Sequence, residues 1–266
     1  MPAIQPNRLK LDAAKVAENF PNTTAIISEL DGYFNFYADR TKRVGQATAT
    51  TPLLLTYNIP RPAMRQLRVA FQPYLSDTGY MLGLVDALWD QEAFEFKLLA
   101  VYLLGDIDAD AETTLLRILE WAKNTDEEQL LKVLLAQEVI TSKEIADMLI
   151  AQIETMLLSD ALQTRALGLR LLTAFHASGE NANIPHTFSW IRPLVLRGED
   201  VLQPYLRDIL HTLAQISPTE TAFFLLSNLQ ETRSKHVAWF TRQTLAAFPE
   251  RHQKDLKSGL RQNSLV

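Results

Sequence analysis

Six basic side chains recur in the leucine-rich stretches of this chain: Arg65, Lys97, Lys132, Arg165, Arg207 and Arg242, at intervals of 32, 35, 33, 42 and 35 residues. A regular row of cations could track the phosphates of a nucleic acid backbone. The same residues could instead serve packing, each stem covering apolar surface and each head pairing with a carboxylate of the next repeat. Other chemistry is sparse. His176, His186, His211, His236 and His252 show neither an H-E-x-x-H pattern nor paired metal-ligand spacing. Asp106, Asp108 and Asp110 lie in a loop without the glycine and terminal glutamate of a calcium site, so the loop reads as a solvated turn. Neither a phosphate-cradling glycine loop nor a nucleophile elbow is present. No metal or cofactor is therefore expected. Trp89, Trp190 and Trp239 read as core or groove-lining residues.

The segment 81–107, MLGLVDALWDQEAFEFKLLAVYLLGDI, sets the frame that positions these cations. Leu82, Val85, Leu88 and Trp89 fall on one face of a helix, and Phe94 to Leu104 is apolar nearly all round except at Glu95 and Lys97. A hairpin of this kind cannot bury its own faces and requires stacking on others like it. Comparable segments surround each recurring cation, and Leu103, Leu171 and Leu213 each lie six residues after Lys97, Arg165 and Arg207. The intervals suit two-helix repeats. The fold expected is all-α, a right-handed superhelix (solenoid) of HEAT-like two-helix repeats in a single domain spanning 1–266. Helices are expected at Asp12–Phe20, Asn22–Tyr37, Glu112–Lys123, Asp126–Glu138 and from Thr141, where Thr141 and Glu144 have capping-box spacing. Arg40–Thr51 reads as a loop and Ser178–Asn183 as a long turn.

Net charge is −5 but uneven: residues 1–75 carry +4, 76–160 carry −13 and 161–266 carry +4. A whole-protein argument for nucleic acid fails on that balance, while a local basic strip remains open. With no cysteine, no disulfide framework or thiolate metal site is possible. No apolar run has the length of a signal peptide or membrane span, and a cytoplasmic protein is expected.

YNIPRPAMRQL, followed by ALWDQEAFEFKLLAVYLLGDI and by the closing run from Leu206 to Leu260, resembles the DNA alkylation repair family of HEAT-like alkylpurine DNA glycosylases. That resemblance implies a concave surface for duplex DNA. It also implies release of a cationic alkylated base, aided by tryptophans and a carboxylate that stabilise positive charge. In active members a tryptophan is followed one helical turn later by aspartate. The counterpart here is Trp121, but Thr125 stands one turn on, and Asp126 is displaced by about 100° around the helix. His211 stands where the resemblance places a second tryptophan. Trp121 and Asp126 are thus the catalytic candidates of a divergent member whose glycosylase activity is in question. The six cations are its candidate phosphate contacts. The alternative is a non-enzymatic scaffold whose acidic middle repeats bind a basic protein partner.

Overall fold

The computed structural model describes residues 5–39, 54–136, 139–179 and 183–264. The loop read at Arg40–Thr51 and positions 180–182 of the long turn lie outside the described residues. Among the described residues there are fourteen α-helices and no strand. They are α1 (Pro6–Ala17), α2 (Thr23–Tyr37), α3 (Arg61–Phe71), α4 (Thr78–Trp89), α5 (Phe94–Asp106), α6 (Ala111–Lys123) and α7 (Glu128–Leu134). There follow α8 (Lys143–Leu158), α9 (Leu162–Ala177), α10 (Ile184–Arg197), α11 (Gln203–Ile216), α12 (Pro218–Thr232), α13 (Lys235–Thr244) and α14 (Glu250–Ser264). None is long and apolar enough to cross a membrane.

Two compact units divide the chain, 1–146 and 147–266. In the first, α3 packs on α1, α5 on α3 and α7 on α5, while α4 and α5 form the expected hairpin. In the second, α9 packs on α11 and α11 on α13, with α12 against α14. Within each unit the odd-numbered helices therefore form a continuous row, the packing expected of helical repeats.

Local chemistry sets the helix ends. Asn22, Asp77 and Asp110 cap α2, α4 and α6, accepting from the backbone N–H of Ala25, Tyr80 and Thr113. Three starts differ from expectation. α1 begins at Pro6, since proline at the first helical position sacrifices no intrahelical bond. It ends early because the Asn19 amide donates back to the carbonyls of Lys15 and Val16. α7 starts at Glu128 because Thr125 Oγ1 accepts from Glu127 N and Glu127 accepts from Gln129 N, which holds 125–127 in a turn. At α8 the cap is Ser142, accepting from Ile145 N, one residue later than the box read at Thr141.

The left-handed Gly198 ends α10 at φ 62°. A Cβ there would lie 2.1 Å from Nδ1 of His236 on α13. Gly198→Ala is expected to cost about 1–3 kcal/mol, read as a lower thermal midpoint, because it adds both backbone strain and that clash. His176 is 2% exposed, with Nε2 2.9 Å from Thr187 Oγ1, and burial pushes its pKa down to about 4. Between pH 6.5 and 4 the unfolded chain holds a proton that the folded one refuses. Stability is thus expected to fall on acidification through that window, by on the order of 3 kcal/mol. Denaturant titrations of His176→Gln, which does not titrate, should decline less steeply over the same range.

Candidate functional site

Glu95 is 3% exposed on α5. Its carboxylate accepts from Thr56 Oγ1 at 2.9 Å, Tyr57 N at 3.1 Å and Ile59 N at 3.4 Å. Phe94 N donates to Leu55 O at 2.8 Å beside it. These bonds hold the 55–59 segment, in which Asn58 turns at φ 56°, against α5 and so fix where Pro60 launches α3. That helix presents Arg61, Arg65 and Arg68 to a cavity of about 430 Å³, also lined by Glu95, Tyr102 and Gln129. Arg68 is committed to a bidentate pair with Asp106, Nε at 2.6 Å and Nη2 at 2.8 Å. Arg61 and Arg65 are exposed and make no ion pair among the described residues.

All six recurring cations fall on odd-numbered helices, one on each from α3 to α13. Their surroundings separate them. Arg65, Lys132 and Arg242 are exposed and, among the described residues, unpaired. Arg207 is exposed and meets only its neighbour Asp208, at 3.0 and 2.9 Å, a surface pair worth about 0–1 kcal/mol. Lys97 is half-buried and donates to the carbonyl of Trp89, the last residue of α4. Its ammonium lies 4.9 Å from the centroid of the Trp89 ring. Burial lowers its pKa, against an opposing pull from Asp90. Arg165 is 8% exposed, its Nε bound to Ser159 O at 2.5 Å and its Nη1 to both oxygens of Glu199 at 3.2 and 3.1 Å. The six thus divide: Lys97 and Arg165 are packed into the fold, while the other four face solvent.

The catalytic candidates do not come together as a pair. Trp121 is 3% exposed and stacks on Trp89, ring centroids 4.5 Å apart and planes within 4°. Asp126 lies beyond the end of α6, exposed in the turn before α7, while Thr125 is buried. His211 is exposed on α11, its Nε2 3.0 Å from the Gln215 amide. Sequence reading missed the Trp89–Trp121 stack. The only signal for it was that Trp89 and Trp121 each stand at the close of a helix, next to Asp90 and Glu120 respectively.

Removing Arg165 leaves Glu199 without its partner at a site where the arginine is nearly enclosed. Arg165→Ala is expected to cost roughly 2–3 kcal/mol in chemical denaturation. Arg65→Ala and Arg242→Ala should stay within about 0.5 kcal/mol of the parent chain.

No match was found among curated proteins or among solved structures. A family model described as DNA alkylation repair enzyme matches residues 37–242, from the last turn of α2 to α13. That span includes the Glu95-braced approach to α3, the hairpin and every one of the six recurring cations, and on it the chain belongs to the DNA alkylation repair enzyme family.

Proposed function

We propose that this chain binds duplex DNA along its odd-numbered helices, as a single array of HEAT-like repeats, and that it is a divergent member in which base excision by tryptophan and carboxylate has been lost. The observation that carries the reading is how charge divides between helices. From α3 to α13 the odd-numbered helices hold ten basic residues, Arg61, Arg65, Arg68, Lys97, Lys132, Arg165, Arg170, Arg207, Lys235 and Arg242. They hold four acidic ones, Glu95, Asp106, Glu128 and Asp208. Of these, Glu95 is buried under backbone donors, Asp106 is held by Arg68 and Asp208 by Arg207. Among the described residues, the remaining carboxylates of the acidic middle segment sit on α4, α6 and α8 or in loops. Arg61, Arg65, Lys132 and Arg242 are thus left exposed without an opposing carboxylate among the described residues, which a phosphate-tracking surface needs.

Loss of excision is supported by Trp121. Its ring is covered by Trp89 and offers no open face to a base, and no carboxylate follows it one turn later.

A fluorescent duplex, plain or carrying a stable alkylpurine mimic, tests both parts. With Arg65, Lys132, Arg207 and Arg242 as contacts, log K should fall against log salt with a slope of about −3 to −4. Arg65→Glu with Arg242→Glu should remove about 2 from that slope. No binding to either duplex at low salt would overturn the DNA reading and leave a protein scaffold. Release of the alkylated base above the uncatalysed rate, lost in Trp121→Ala, would overturn the loss of excision.

A further inference from the structure

A second cavity, of about 550 Å³, opens between α4, α5 and α6. Trp89, Asp90, Lys97, Glu120, Trp121 and Asn124 line it, with Asp86 and Arg117 at one side. Asp86 and Arg117 satisfy each other through two bonds of 3.0 and 2.8 Å, and Lys97 is held by the Trp89 carbonyl. Asp90 and Glu120 are exposed, and among the described residues neither carboxylate accepts a hydrogen bond. The indoles add a second, independent feature. Trp89 and Trp121 are 5% and 3% exposed and both line the cavity, yet neither ring N–H has an acceptor among the described residues. A buried indole N–H ordinarily has a partner, so the cavity's occupant must offer acceptors as well as positive charge.

The surface continues along α6. Glu112, Leu116 and Glu120 follow at four-residue steps, all exposed, Leu116 at 61%. Four residues rise about 6 Å along a helix, so the two carboxylates flank the leucine over about 12 Å. An extended peptide covers that distance in about four residues.

We propose that this face binds a basic, extended segment of a partner protein, with an arginine in the cavity, an apolar side chain on Leu116 and a second basic residue at Glu112. Arginine fits better than lysine. Its planar fork can meet Asp90 and Glu120 together and lie against aromatic ring edges, while peptide carbonyls accept from the indoles. The −13 charge of residues 76–160 steers such a segment in. Glu112, Leu116 and Glu120 lie on the even-numbered α6, but Lys97 and Trp121, both named in the DNA reading, also line the cavity, so the two readings are told apart by the exposed arginines Arg65 and Arg242, which lie outside it.

The probe is a fluorescein-labelled peptide with two arginines four residues apart and a leucine midway, titrated into the full chain by anisotropy, beside its two-lysine and two-glutamate counterparts. The arginine peptide is expected to bind at least tenfold tighter than the lysine one, with quenching of tryptophan emission. Asp90→Asn with Glu120→Gln, both at exposed positions that leave the fold intact, should weaken it at least tenfold. Leu116→Ser should weaken it severalfold, and Arg65→Glu with Arg242→Glu should leave it unchanged. Failure of the arginine peptide to bind, or undiminished binding by the Asp90/Glu120 double variant, would overturn the proposal. So would displacement by spermidine together with indifference to Leu116→Ser, which would mark a site for a small polycation.

Discussion

A helix that is apolar on nearly every side can exist in water only between other helices, and α5 imposes that constraint on the first unit. Phe96, Leu99, Ala100, Val101, Leu103 and Leu104 are all buried on its thirteen residues. Fully burying each large aliphatic or aromatic side chain contributes about 1.5–3 kcal/mol. α3, α4 and α7 pack around it as a consequence. Its buried polar residue, Glu95, would be costly if left unpaired. Bonding to Thr56, Tyr57 and Ile59 relieves that cost and at the same time sets the path into α3. Packing and site are therefore one arrangement: the helix that needs covering also fixes the arginines beside it.

The repeating cations show why a sequence period does not by itself assign a role. Arg165 and Arg207 occupy corresponding places on α9 and α11, each six residues before a buried leucine. Arg165 is enclosed by Ser159 and Glu199, and desolvation makes that pair costly to break. Arg207 lies in water beside Asp208, where exchanging one anion for another costs little. Phosphate affinity can come only from cations of the second kind. A shared spacing thus reflects the repeat, and exposure decides what each copy is free to do.

Much of the fold was legible because helix caps and apolar stripes are local signals. Asn22, Asp77 and Asp110 cap where a short polar side chain precedes a periodic run, and the α4–α5 hairpin follows from its two apolar segments. Errors came where a neighbour competes for the same donors. Ser142 took the cap from Thr141, and Thr125 with Glu127 delayed α7. Of the site, the cations and Trp121 could be named but their environments could not. Whether an arginine reaches solvent, or one indole covers another, depends on contacts between residues some thirty positions apart, as with Arg165 and Glu199 or Trp89 and Trp121. The excess of basic residues on the odd-numbered helices taken together was hidden for the same reason. Along the chain the middle segment reads only as acidic, and the row of odd-numbered helices emerges when α3, α5 and α7 pack side by side.

Which cavity a charge lines matters because surface charges act over short range. Screening at physiological salt confines each to about 8 Å. Arg61 and Arg65 line one cavity and Asp90 and Glu120 another, and the two cavities share no lining residue. Were the charges interspersed, each surface would cancel the other and the unit would present little field to any partner. With Arg61 and Arg65 at one cavity and Asp90 and Glu120 at the other, the proposed polyanion and polycation would meet different groups. Of the two cations lining the second cavity, Arg117 is paired with Asp86, and Lys97 is engaged as well. Its ammonium is already committed to the Trp89 carbonyl, and burial lowers its pKa against the pull of Asp90.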